Sequence, residues 1–333
     1  MTTVESKASE RAGVARPIRV DKLSTTTRVA NGVRVLVVVL YALIALIPIF
    51  WMASTAFKSR ADVVHIPPRV FIKPNLEGVI SLLTDRALLN AGRQKALLAS
   101  TEEMPWYRRY MIERGMDITG VSPFVGRLKN SLIIAGVSTL AAVGLGTLAA
   151  YAFSRYRVPG KGDLLFFILS TRMLPAVVVT IPIFLMYRQV HLHDTHIGLI
   201  LLYTVFNLSF SVWLMKGFFD EIPREYEEAA LVDGYTRLQA FRKVVLPNAL
   251  SGIAATTVFC LIFAWNEYAF SLMLTTEKAR TAPPSIVTML GRGGIEWATI
   301  AAGTLVFLIP VVVVTFVLRK NLLRGVTFGA IRQ

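Results

Sequence analysis

The stretch EYEEAALVDGYTRLQAFRKVVLP, residues 225–247, lies between two long apolar runs and carries four acidic and three basic residues. Pro223 suits a first helical position, and Glu225, Glu227 and Glu228 follow in the opening turns, where the helix dipole favours carboxylates. Tyr226, Ala229 and Ala230 recur at spacings of three and four, and the paired alanines leave a nearly flat face that another backbone can approach closely. Gly234, directly after Asp233, stops this helix. Thr236 with Gln239 three residues on makes a capping box for a second helix. Leu238, Phe241 and Val245 form its apolar stripe, and Arg242 and Lys243 suit its C-terminal end. Leu246 and Pro247 mark the return to apolar chain. The pattern predicts a short acidic helix, a glycine corner and a second helix, together a polar loop over about residues 220–248.

The rest of the chain explains why such a loop stands out. Of the 333 residues, 54% are hydrophobic and only 17% are charged, against about 25% charged in an ordinary soluble domain. A helix needs about 20 apolar residues to cross roughly 30 Å of hydrocarbon. Six runs qualify, at about residues 35–57, 131–153, 164–187, 197–215, 252–274 and 298–318, the third admitting one arginine and two prolines. The expected fold class is an all-α integral membrane protein with six transmembrane helices, multi-pass, in which Pro48, Pro175, Pro182 and Pro310 bend their spans.

Lysines and arginines in short loops stay in the cytoplasm. Arg155, Arg157 and Lys161 follow the second run. Lys216, Arg224, Arg237, Arg242 and Lys243 follow the fourth, and Arg319, Lys320, Arg324 and Arg332 follow the sixth. The opposite connections hold Arg188 alone, then Lys278, Arg280 and Arg292. Both termini are therefore expected in the cytoplasm, with residues 1–34 a polar tail before an uncleaved first span and residues 319–333 a second tail. This accounts for the net charge of +15 without nucleic acid, for which no basic, aromatic-studded soluble domain is present. The single cysteine, Cys260, falls within the fifth run and can form no intramolecular disulfide.

Residues 225–247 resemble the EAA loop of permease subunits from binding-protein-dependent ABC importers. That pattern reads Glu-Ala-Ala, three residues, Gly, nine residues, an aliphatic residue, one more, then Leu-Pro. It falls here on Glu228, Ala229, Ala230, Gly234, Val244, Leu246 and Pro247, with valine where isoleucine is commoner. AYAFSRYRVPGK (150–161), RMLPAVVVTIPIF (172–184), FAWNEYAFSLMLT (263–275) and RGVTFGAIRQ (324–333) extend the resemblance to the carbohydrate branch, specifically the smaller permease of maltose and glycerol-phosphate importers. The resemblance implies the type I importer permease fold in the bacterial cytoplasmic (inner) membrane. It implies a coupling helix docking on a cytoplasmic ATPase through Glu225, Glu228, Ala229, Ala230, Asp233, Gly234, Leu246 and Pro247. It also implies a second, larger permease, two ATPase copies, an extracytoplasmic solute-binding protein, a carbohydrate-like solute, and membrane lipid around the assembly. No GxxxxGK[ST] loop is present, so no catalytic residue and no cofactor is assigned to this chain, and ATP and Mg are expected on the partner. A stand-alone secondary transporter or channel is the alternative. It would require ion-coupling carboxylates in several spans, whereas only Glu267 lies inside one.

Polar groups inside spans are candidates for the solute pathway. Trp265, Asn266 and Glu267, placed about fourteen residues into a continuous fifth helix, offer a stacking face, an amide and a carboxylate suited to a saccharide. Equally, Trp265 and Tyr268 fit an aromatic belt and Glu267 a structural pair. Arg172 lies early in the third span, where pairing, gating or lining the pathway are all open, and Asn207 in the fourth suits helix packing or solute contact. HLHDTH (191–196) offers three imidazoles and Asp194, but in a short loop with no identifiable supporting shell, so no metal site is assigned. Residues of about 86–122 are extra relative to the family. Leu88, Leu89, Leu97 and Leu98, then Trp106, Tyr107, Tyr110 and Met111, predict two short helices around Pro105 in an extracytoplasmic insert.

Overall fold

A computed structural model describes residues 25–70, 72–100, 103–291 and 294–327. The expectations for most of the N-terminal tail, for Arg292 and for the last six residues, Arg332 among them, lie outside these. The chain divides into two units, residues 1–51 and residues 52–333. The described part of the first is most of α1 (Thr25–Ala56), a helix with Pro48 inside it.

The second unit is helical with two small β-ribbons. After α2 (Arg60–Val63) and α3 (Glu77–Leu83), β1 (Thr84–Leu88) pairs antiparallel with β2 (Met116–Val121), and between them lie α4 (Ala91–Ala99) and α5 (Trp106–Ile112). The insert therefore carries the two short helices expected, but the ribbon beneath them was not foreseen. The strand TDRAL and its partner MDITGV lack a clean apolar alternation, so period two does not show in them. Then come α6 (Phe124–Arg155), α7 (Lys161–Thr171), α8 (Ala176–Gln189), α9 (His196–Glu221), α10 (Glu225–Val232) and α11 (Arg237–Ala240). A π-helical turn (Phe241–Val245) leads through α12 (Leu246–Asn248) into α13 (Leu250–Trp265), α14 (Ala269–Leu274), α15 (Ala282–Val287), the ribbon β3 (Leu290–Gly291) and β4 (Gly294–Ile295), and α16 (Trp297–Thr327).

Among the described residues four helices are long and apolar enough to cross a bilayer: Ala30–Ala56, Phe124–Arg155, His196–Glu221 and Trp297–Arg319. Two further helix pairs meet the same length and apolarity only when taken together across a bend. α7 and α8 meet at 88° across Arg172–Pro175, and the pair Arg237–Asn248 and Leu250–Trp265 meets at 72°. Pro175 explains the first break, because a proline biases the residue before it away from helix; Pro48, Pro182 and Pro310 instead sit within continuous helices. The fifth run is not one helix to residue 274 as expected, because α13 stops at Trp265 and α14 resumes at Ala269.

α6 packs along α9 through small residues. Ser138, Thr139, Ala142, Gly146 and Ala150 of α6 are buried, as are Ser211, Val212 and Met215 of α9. Apolar burial drives no association between helices in lipid, so close backbone approach through small side chains carries the contact. At Gly146 a Cβ would stand 2.2 Å from Ser211 Oγ and 2.6 Å from its Cβ. Gly146→Leu is expected to overpack this crossing, lowering stability by about 1–3 kcal/mol or more. Thermal unfolding of the detergent-solubilised chain reads the loss, and an unchanged midpoint would mean the helices separate without cost.

Candidate functional site

Gly234 has φ +87°, the left-handed conformation that a helix-ending glycine adopts at no steric cost. Tyr235 N–H bonds to Ala230 O at 3.0 Å, closing the end of α10. The capping box is present: Gln239 N–H donates to Thr236 Oγ1 at 3.3 Å and Thr236 N–H to Gln239 Oε1 at 2.9 Å.

What holds α10 against the helices is a buried knot at one end of α6. Glu227 faces inward, accepting from the Tyr151 hydroxyl and from Arg155 Nε at 3.1 Å, and the ion-paired side chains are only 6% and 8% exposed. Arg155 also donates to Ile222 O at 2.9 Å and to Ser154 Oγ at 3.2 Å, while Arg224 reaches Ser154 O at 2.9 Å. Ser154 Oγ donates to Asp220 at 2.6 Å, and Asp220 pairs with Lys216. The Tyr151 ring packs on Phe241 at 4.4 Å and on Phe219 at 5.9 Å. Every polar group of the knot thus has a partner, as burial requires.

Six of the eight expected docking residues, Glu225, Glu228, Ala229, Asp233, Gly234 and Pro247, are exposed and Leu246 is half-buried. The eighth corrects the sequence reading. Ala230 is buried because it lies three residues after Glu227 on the inward face, so the two alanines do not share one outer surface. The stripe of the second helix is corrected too. Phe241 and Val245 are buried, but Leu238 is 62% exposed, because the π-helical turn breaks the 3.6-residue register between them. Tyr226, Val232 and Leu238 add apolar area to the outer face.

The polar groups of the spans are engaged within the chain. Trp265 is 2% exposed, stacks on Phe307 at 4.7 Å and donates from Nε1 to Phe307 O at 3.2 Å. Glu267 sits in the break between α13 and α14, accepting from Tyr203 OH at 2.6 Å and from the N–H groups of Phe270 and Ser271 at 2.8 and 3.1 Å. It therefore caps α14, and for both residues the geometry supports the structural of the two readings. Asn207 donates to Cys260 O at 3.1 Å, joining α9 to α13. Arg172, at the other break, donates to Phe206 O at 3.1 Å and lies over the rings of Phe263 and Phe210, at 4.2 and 5.2 Å. Asn266 is exposed, donating only to Ile262 O at 2.8 Å.

The far end of α6 is anchored as well, by residues of the turn where no metal was assigned. Asp194 accepts from the N–H groups of Thr276, Glu277, Lys278 and Ala279 at 3.1–3.2 Å. Asn130 of α6 donates to Lys278 O and Arg280 O at 2.9 and 3.0 Å and contacts His196 Nε2 at 2.8 Å. Ser131 Oγ accepts from Ala282 N–H at 2.9 Å. Sequence reading missed this clamp and the role of Glu227 because each joins segments more than 60 residues apart. A local signal existed only for Asp194, as an acid before a helix start.

Residues 142–328 match the family of the binding-protein-dependent transport system inner membrane component. The chain belongs to that family and is a transmembrane permease subunit of an ABC importer. It is similar to the trehalose transport system permease protein of Mycobacterium tuberculosis (strain CDC 1551 / Oshkosh), 40% identical over 212 residues, which are 63% of this chain and 77% of that protein. It is also similar to the trehalose/maltose transport system permease protein of Thermococcus litoralis, 28% identical over 296 residues, which are 88% of this chain and 94% of that protein. A chain in the crystal structure of a bacterial ABC transporter involved in the import of the acidic polysaccharide alginate shares the fold. Its TM-score is 0.62 at 22% identity, over 90% of this chain and 98% of that one.

Burial pushes the Asp194 carboxyl up, but the N–H groups of Ala279, Lys278, Glu277 and Thr276 together hold it below the usual carboxylate range. A depressed folded-state pKa stabilises above the ordinary value near 3.9 and is lost only as pH falls through the lower one. Hydrogen exchange of residues 276–279, corrected for intrinsic rate, should therefore stay flat from about pH 5 to 8. In Asp194→Asn, whose amide nitrogen cannot accept, the same amides should exchange faster, and equal protection in the variant would show that the loop is held by something else.

Proposed function

We propose that this permease subunit moves a sugar, oligosaccharide or polyol-like solute, delivered by an extracytoplasmic binding protein, and that ATP hydrolysed on separate cytoplasmic subunits drives it. The solute class is supported by the fifth-span and tail motifs and by the trehalose and trehalose/maltose names of the two similar permeases. In this reading the assembly holds a second, larger permease and two ATPase copies, with ATP and Mg on the latter. Both termini and α10 face the cytoplasm, as the bias of Lys and Arg toward those loops supports.

One observation carries the docking role. α10 turns a buried ion pair inward and an acidic, partly apolar surface outward, so it is fixed on its own chain while its docking residues remain free. A loop that served only as a solvated connector would have no need of so costly an anchor. Glu225, Glu228, Ala229, Asp233, Gly234, Leu246 and Pro247 form the contact, and Ala230 supports it from behind. Arg172 and Asn266, at the two helix breaks, are the pathway-facing candidates, with Trp265, Glu267 and Asn207 shaping the breaks that present them.

The purified chain alone should hydrolyse no ATP, and robust hydrolysis would end this reading. Two variants separate surface from anchor. Glu228→Lys reverses an exposed charge, so the chain should keep its thermal stability and lose co-purifying ATPase and solute uptake. Glu227→Ala strands the Arg155 charge, which costs about 3–5 kcal/mol for a buried pair, so stability should fall together with docking. Wild-type uptake in Glu228→Lys would reduce the loop to a connector.

A further inference from the structure

At the end of the bundle away from α10, the ribbon strand β1 closes over α3, α6, α15 and the start of α16, leaving a cavity of about 280 Å3. It has no part in the docking surface and is lined in part by the insert. Arg60, Arg86 and Arg127 line it, facing Glu296, with Asp85 exposed at its rim.

The one buried carboxylate there is already saturated. Glu296 pairs with Arg60 at 3.0 Å and with Arg86, and accepts from Thr299 Oγ1 at 3.1 Å. The hydroxyls of Thr84, Ser285 and Thr288 are spent on backbone carbonyls. Three buried polar atoms on the cavity wall have no hydrogen-bond partner: Arg86 Nη1, Arg127 Nε and Ser81 Oγ. Ser81 is itself only 8% exposed, and Arg127 otherwise meets only the exposed Glu277, at 3.6 Å. Burial pulls the Arg86 guanidinium down to about 10, with Glu77 opposing and Arg60 adding to the fall.

The buried groups that lack a partner there can all donate, and two of them are guanidinium nitrogens, on residues that line the cavity beside the apolar side chains of Met116 and Phe124. Guanidinium N–H groups match the paired oxygens of a carboxylate, and a small apolar wall suits the carbon body behind it.

We propose that this cavity is a binding site for a small organic carboxylate, its two oxygens held by Arg86 and Arg127 and by the Ser81 hydroxyl. The probes are butyrate and butanamide, equal in shape and different in charge, with inorganic phosphate as a third, each titrated against the full chain in lipid nanodiscs by thermal shift. Butyrate should raise the midpoint saturably while butanamide does not. Arg127→Gln should raise the half-saturating butyrate concentration at least tenfold. Ser81→Ala, which leaves every ion pair in place, should raise it several-fold with the unliganded midpoint unchanged, and so decides the matter if Arg127→Gln proves unstable. No butyrate response, an equal response to butanamide or phosphate, or a response untouched by Ser81→Ala would each overturn the site. None of these outcomes bears on the import reading, which rests on the opposite end of the molecule.

Discussion

The close crossing of α6 and α9 is the contact from which the rest of the second unit is hung. Both of its ends carry polar fastenings. Asn130 and Ser131 on α6, with His196 on α9, hold the loop around residues 276–282; Tyr151, Ser154 and Arg155 on α6, with Lys216 and Asp220 on α9, hold the start of α10. From Ser131 to Arg155 the helix rises about 36 Å at 1.5 Å per residue, so one stiff pair spans the distance between the loop around residues 276–282 and the start of α10. A small lateral shift at either fastening moves a packed pair rather than a single side chain, because close-packed interiors transmit strain.

The polar groups within the spans serve that frame before they serve a solute. Inside a bilayer each unpaired backbone or side-chain polar atom is costly, and where α13 stops at Trp265 the freed groups must be met. Glu267 accepts from N–H groups in the first turn of α14 and from the Tyr203 hydroxyl, and the Trp265 indole closes against Phe307. Arg172 lies at the bend between α7 and α8 and Asn266 in the break after α13, where they donate to the main-chain carbonyls of Phe206 and Ile262.

Much of this was legible in the sequence, and what was not has a common cause. The six apolar runs, Gly234 as a helix end, the Thr236–Gln239 box and the break before Pro175 are local rules, each readable within a few residues. The inward turn of Glu227 and Ala230 was not, since three adjacent or near-adjacent acids look alike until Arg155, 72 positions earlier, selects one. The β1–β2 ribbon escaped because its burial does not alternate: the adjacent Met116 and Asp117 are both buried, so no period of two reaches the sequence. Asp194 was weighed for a metal and serves backbone N–H groups instead, a pairing 82 to 85 positions long.

The length of the Glu227–Arg155 connection has a consequence during synthesis. At about 5–20 residues per second, the 72 positions between them take the ribosome about 4 to 14 s. Throughout that interval Arg155, at the end of α6, has no Glu227 to pair with. When Glu227 emerges, the same charge is withdrawn into the interior and becomes the seat of α10. The order is written by the distance between the two residues: the cation is made first, and the buried ion pair that seats α10 closes only after its partner follows.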